Sequence, residues 1–189
     1  MIDIALQFLR AELNTFLLTA TGSDRIKVEL SSVVDDTGKY AFAQDLIGAS
    51  IINIEEERTV KTHLPQYAYL NGQHVISEPD LKLNLYLLFA ANFKVYNEAL
   101  KYLSYILIYF QSHPSFTQEE FPGFDSRIEK LILELQSPTF EQWNQIWGFN
   151  GGKQLPSIMY KLRMVILQPD VPESVQPPLT RIGVTIHSR

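Results

Sequence analysis

The sequence predicts an α+β domain in which two long helices pack on one face of a mostly antiparallel sheet. Three observations predict it. Apolar residues fall on helical stripes in two segments, over residues 2–19 and 94–112. Shorter runs elsewhere alternate apolar and polar residues with the period of a strand. Gly, Pro, Asn and Asp punctuate the boundaries between them.

In the first helix Ile2, Ala5, Leu6, Leu9, Leu13, Phe16 and Leu17 form the stripe. Asp3 sits where the helix dipole favours a negative charge, and Gly22 stands at the position of a C-cap. Ile26, Val28 and Leu30 alternate with Lys27 and Glu29 as a half-buried strand. Asp35-Asp36-Thr37-Gly38 marks a turn. Leu46 to Arg58 reads as a longer strand, apolar at its start and ending in Glu55-Glu56-Glu57-Arg58. Residues 60–79, with Pro65, Asn71-Gly72 and Pro79, read as a loop holding at most a small hairpin at Asn71-Gly72.

Leu81, Leu83, Leu85, Leu87 and Phe89 give the clearest strand. Its second face turns apolar towards the end, which predicts a central position. Asn92 is expected to cap the second helix, whose stripe is Tyr96, Ala99, Leu100, Leu103, Ile106, Leu107 and Phe110. That helix stops before Pro114, because the residue preceding proline is pushed out of helical geometry. A loop over 113–126 precedes a strand at Leu131, Leu133 and Leu135. Thr139 caps a short helix around Phe140, Trp143, Ile146 and Trp147, closed by Gly148 and the Gly151-Gly152 pair. Ile158 to Ile166 forms a further strand. Pro169, Pro172, Pro177 and Pro178 then stiffen an arm that carries a last alternating segment, Ile182, Val184 and Ile186. The expected division is an α+β domain over 1–168 and a proline-rich arm with a C-terminal strand over 169–189. That strand either folds onto its own sheet or adds to the sheet of a neighbouring subunit.

Composition narrows the function. The 189 residues carry 16 basic and 21 acidic side chains, a net charge of −5. This balance argues against a duplex-binding surface, whose affinity comes from neutralising phosphates, and against a polybasic membrane-surface protein. No window is apolar enough for a membrane span, and the N-terminus lacks a signal-peptide pattern. With no Cys in the chain, thiolate zinc sites and a catalytic cysteine are excluded.

Candidate chemistry is sparse. His63, His74, His113 and His187 show no metal-ligand spacing. On a strand, Glu55 and Glu57 share one face while Glu56 points to the other. Such a pair with a loop His would suit a small metal-dependent hydrolase. The plainer reading is a charged strand end with Arg58 and Lys61 as ion partners. The segment Gly148 to Gly152 fails the phosphate-loop spacing. Tyr102, Tyr105 and Tyr109 recur along the second helix. They serve either an interface, where tyrosine is favoured, or a helix covered on most sides within its own subunit.

The order of segments is more informative than any one motif. IDIALQFLRAELNTFL, IINIEEERTVK, LNLYLLFAANFKVYNEALKYLSYILIYFQ, KLILEL, TFEQWNQIWGFNGGKQLPS and YKLRMVIL follow one another over about residues 1–168. Together they resemble the cap, or tail-terminator, family of extracellular contractile injection systems. These are phage-tail-like particles such as the antifeeding prophage and the Photorhabdus virulence cassette. The resemblance implies a structural subunit that forms a homo-hexameric ring, ends the inner tube and joins the last sheath layer. It implies no catalysis and no cofactor, and partners that are the tube and sheath proteins rather than nucleic acid or membrane. Without a signal-peptide pattern or membrane span, synthesis in the cytoplasm is expected, and the resemblance implies incorporation into a particle that can be released. A terminator of another phage-tail-like system would share this architecture. A ring also needs contacts between subunits. Glu55, Glu56, Glu57 and Arg58, the tyrosine-bearing helix flank at Tyr102, Tyr105 and Tyr109, and the tail residues Ile182, Val184 and Ile186 are the candidates.

Overall fold

The computed structural model describes residues 1–57, 66–70, 73–77, 81–149, 151, 153–166 and 174–176. Arg58, most of the proline-rich arm and the tail with Ile182, Val184 and Ile186 lie outside the described residues.

Helix α1 runs Ile2–Thr21 and ends at Gly22, whose φ of 68° gives the left-handed cap; its N–H donates to Leu18 O. The inward stripe is Ala5, Leu9, Leu13 and Leu17, all buried. Strand β1 (Val28–Leu30) follows, then β2 (Leu46–Glu56). β1 and β2 are parallel, the one parallel pair in a sheet otherwise built of antiparallel neighbours. In the intervening loop Asp35 Oδ1 accepts from Thr37 N and Lys39 N, which makes the predicted turn.

Asn14 projects from α1 onto the outer edge of β1. Its side-chain Nδ2 donates to Val28 O at 3.1 Å, and Val28 N donates to its Oδ1 at 2.7 Å. One amide thus substitutes for a neighbouring strand and covers groups that an exposed edge would leave open. Asn14→Ala is expected to lower stability by about 1–3 kcal/mol, since both partly buried backbone groups lose their partner. Chemical denaturation measures it, and a change below about 0.5 kcal/mol would contradict this role.

Strand β5 (Leu81–Asn92) is central, between β2 and β8 (Ser157–Ile166). Strand β7 (Ile128–Gln136) lies beyond β8, and the two-residue β6 (Ser115–Phe116) closes that edge. The order is β1-β2-β5-β8-β7-β6. Leu85, Leu87, Phe89 and Ala91 point to the face covered by α1 and by α2 (Tyr96–Ser112). Leu88 and Ala90 point to the other face, where α3 (Phe140–Phe149) and the 33–42 segment make a smaller core with Val33, Phe42 and Trp147. Helices therefore cover both faces, the two longer ones on one side.

Strand β2 explains its own irregular pattern. Ile51 pairs with Leu87 and Asn53 with Tyr86, so Ile52 is an extra residue at a bulge. The bulge reverses the parity of the faces. Before it, Ile47, Ala49 and Ile51 face the long helices. After it, Glu55 and Glu57 emerge on the opposite face from Glu56, as the strand period predicts.

Several expectations change. Asn92 does not cap α2. It ends β5 and donates to Phe42 O and Ala43 O, both at 3.3 Å, while α2 begins at Tyr96 with Val95 at its N-cap and no side-chain cap. The apolar run of β5 continues far enough to keep Asn92 in the ladder opposite Leu46. Gly148 does not close α3, which continues to Phe149. The 60–79 region is not only loop. Strands β3 (Gln66–Leu70) and β4 (Gln73–Ser77) pair antiparallel with Leu70 opposite Gln73, and β9 (Ser174–Gln176) joins β4 in a second, three-stranded sheet. Sequence reading allowed the hairpin. It missed β9, because Glu173 and Ser174 break any alternation between the prolines.

Candidate assembly interface

The face of the main sheet that carries α3 is only half covered. Near the Ala90 end of β5 it is packed by Trp147, Ile146 and Phe42. Towards the Leu83 end it is polar. Tyr86 lies across from Lys161, and Lys161 across from Glu134. Arg163, beside them, pairs with Glu134 at 3.2 Å. Glu55 completes this row: its carboxylate accepts from Tyr86 Oη at 3.0 Å and from Asn53 Nδ2 at 2.9 Å. Glu57 accepts from Asn84 Nδ2 at 3.0 Å. Burial, then the bond to Glu55, raise the Tyr86 hydroxyl above the ordinary phenol range.

This geometry bears on the proposed carboxylate chemistry. Glu55 and Glu57 share a face as expected, but each already accepts hydrogen bonds from neutral side chains. Among the described residues no group of three His, Asp or Glu is placed to hold a metal ion. His113 lies at the C-terminal end of α2, stacked on Tyr109 at 4.8 Å, with its Nδ1 3.2 Å from Tyr109 O. Side-chain positions of His63, His74 and His187 lie outside the described residues.

The tyrosines divide unequally. Tyr102 and Tyr109 are 7% and 4% exposed and belong to the main core. Tyr102 stacks on Phe93, and Tyr109 meets Phe16, Phe110 and Phe116. Desolvation chiefly raises the Tyr109 hydroxyl, with the Glu12 carboxylate adding to it. Tyr105 is half-buried beside Tyr102. For Tyr102 and Tyr109 the structure favours cover within their own subunit. The helix period places Tyr102 and Tyr105 near the stripe margin and Tyr109 on the flank; Phe93 covers Tyr102, and Phe16 and Phe116 cover Tyr109.

The apolar surface of α2 lies elsewhere, at Tyr96, Leu100 and Ile108, which are 64%, 43% and 52% exposed. Helix α3 adds Phe140 and Phe149, exposed at 95% and 90%. Their apolar identity is plain in the sequence. What hides the exposure of Phe140 is that Trp143 and Trp147 use the same helical stripe to reach the core. A groove lies on either side of α3. One, of about 650 Å³, runs past Glu55, Tyr86, Gln136 and Phe149. The other, of about 1090 Å³, lies between α2 and α3.

Helix α3 is held in place by a capping box. Thr139 Oγ1 accepts from Gln142 N at 3.3 Å, and Gln142 Oε1 accepts from Thr139 N at 2.8 Å. Thr139→Ala is expected to lower stability by about 1 kcal/mol. If the grooves are contact surfaces, this variant also weakens assembly, read as a loss of mass in light scattering at matched concentration.

Comparisons with known proteins add to this geometry. A family model described as the Pvc16 N-terminal domain matches residues 5–181. No curated protein matches the chain by sequence. Two solved structures share its fold. One is described as the PVC sheath/tube terminator in the extended state, from an extracellular contractile injection system. It has a TM-score of 0.58 and 12% identity, over 95% of this chain and 63% of that one. The other is the anti-feeding prophage cap, a tube-terminating cap. Its TM-score is 0.60 and its identity 14%, over 92% of this chain and 58% of that one. The chain thus spans about three-fifths of the length of these two structures. At such identities the likeness establishes a shared fold.

Proposed function

The chain belongs to the family of the Pvc16 N-terminal domain, and from that premise we propose that it is a structural cap subunit that ends the inner tube of a contractile injection particle. The observation that carries this reading is the shared fold: more than nine-tenths of the chain superimposes on proteins described as tube terminators. In this reading six copies close into a ring, the ring occupies the tube end, and the last sheath layer joins it. The role is non-enzymatic, and the particle acts outside the cell that makes it.

Physical features of the sheet support a terminator. Such a protein meets the tube on one side and leaves no matching surface for further growth. The outermost strands are short, three residues in β1 and two in β6, and Asn14 covers β1, while β2 and β7 run on past them. The outermost strands themselves offer little edge to a further strand. Ring closure requires a heterologous contact, with two different patches meeting around the axis. The polar row at Glu55, with the groove it lines, and the uncharged groove between α2 and α3 are unlike surfaces of that kind.

The acidic strand end is assigned to charge pairing at a subunit or tube contact, with Glu55, Glu56, Glu57 and Arg58 taking part. Arg58→Glu is expected to weaken tube-end binding about tenfold, or about 1.4 kcal/mol. Unchanged ring formation and tube binding would remove this assignment. The ring itself is tested by native mass from light scattering, with negative-stain images of the same peak. Six copies of 21.7 kDa give about 130 kDa and a six-fold annulus. A chain that stays monomeric both alone and with isolated tube present would contradict the ring.

A further inference from the structure

The groove between α2 and α3 has a distinctive lining. Tyr96, Phe140 and Trp143 supply aromatic walls, Leu100 and Leu107 the floor, and Pro156 one end. None of its lining residues is charged, although one residue in five of this chain is. An uncharged groove with aromatic walls is the surface that takes a proline-rich strand in polyproline II form. Such a strand has no internal hydrogen bonds and little conformational entropy left to lose, and its rings pack against aromatic faces.

The arm of the same chain, residues 169–189, carries two proline-bearing segments. Pro169-Asp170-Val171-Pro172-Glu173 is acidic and would place carboxylates against apolar walls. Gln176-Pro177-Pro178-Leu179-Thr180 is uncharged and matches the groove in polarity. We propose that the α2–α3 groove binds Pro177-Pro178-Leu179 of a neighbouring copy.

Geometry favours a neighbour over the chain's own segment. Gln176 ends β9, and β9 pairs with β4. Only residues 78–80 connect β4 to the Leu81 end of β5. The groove opens beside Ser157 and Ile158, which pair with Ala90 and Phe89 at the other end of that ladder. The two ends are about 30 Å apart at 3.3 Å per residue, whereas Pro177 to Leu179 follow Gln176 directly. The inference rests on the ring proposed above, because it supplies the neighbour. It also gives the apolar α2 surface an occupant that sequence reading had sought at Tyr102 and Tyr109.

The chain has no cysteine, so engineered pairs report this contact without background. Ser104→Cys, at the groove, and Leu179→Cys are made as separate full-length proteins, mixed, and equilibrated with oxidised glutathione. Thr19→Cys, on the exposed side of α1, replaces Ser104→Cys as control. Light scattering on the same mixtures reports assembly. The expected result is a mixed disulfide that forms at least about tenfold faster than in the control, as a high effective concentration demands. It is lost when Pro177 and Pro178 are both changed to Ser in the Leu179→Cys protein. Assembly with no such preference overturns the groove assignment and leaves the ring standing. Absence of both assembly and cross-link, with isolated tube present as well as without it, overturns both. A double variant that closes only within one chain, while mixed singles do not react, overturns the neighbour as the source.

Discussion

Phe116→Ala is expected to lower stability by about 3–5 kcal/mol, the range for removing a buried aromatic ring from a packed core. Phe116 is fully buried and forms half of the two-residue strand β6. Its ring lies 5.6 Å from Phe8, 4.9 Å from Phe121 and 6.3 Å from Tyr109. It therefore joins α1, α2 and the 113–126 loop at one point. Alanine leaves a cavity among rings held by three separate elements, and rigid neighbours collapse poorly into such a space. Urea or guanidinium denaturation gives the measurement. A loss below about 1 kcal/mol would show that the loop repacks freely and that this aromatic cluster does not organise the sheet edge.

Gly48→Ala is expected to cost about 1–3 kcal/mol although it adds a single methyl group. Gly48 sits in β2 opposite Ala90, and a Cβ there would overlap the ring of Phe42. Phe42 is buried in the smaller core beneath α3, so its ring has nowhere nearby to move. The two positions are therefore coupled. Phe42→Ala alone is expected to cost about 3–5 kcal/mol, and the double variant less than the sum of the singles, by about 0.5–3 kcal/mol. Strict additivity in a double-mutant cycle would contradict this packing. Because Phe42 and α3 share one core, Gly48→Ala is also expected to disturb the grooves beside α3.

Much of this architecture is legible in residue order. The stripe of α1 and its Gly22 cap, the central placement of β5, and the Thr139 cap of α3 all follow from local rules that tertiary contacts do not overturn. The places that escape local reading have specific causes. Asn92 looks like a helix cap, but Asp45 N donates to its carbonyl at 2.6 Å and its amide holds the 42–43 backbone, so it stays in the sheet. The parallel pairing of β1 depends on a partner Asn in α1, which no strand pattern reveals. Ile51-Ile52 interrupts alternation, and only the ladder shows that a bulge absorbs the extra residue. The candidate site is less legible. Glu55 and Glu57 are placed on one face correctly, yet their partners Tyr86 and Asn84 come from a strand about 30 residues later. Tyrosine suits both an interface and a core; Tyr102 is covered by Phe93 and Tyr109 by Phe16 and Phe116, contacts that the helix period does not show. Phe140 shares the helical stripe of Trp143 and Trp147, which alone would have buried it, whereas Phe149 falls on the opposite side of α3.

The most direct test of the cap assignment is the length distribution of inner tubes polymerised with and without this protein, imaged by negative stain. The account predicts shorter tubes as the ratio of this protein to tube subunit rises, each bearing a six-fold density at one end. Subunits carrying Phe116→Ala, unfolded at the assay temperature, should lose that effect. Tubes of unchanged length with bare ends, at concentrations where the protein is folded, would contradict it.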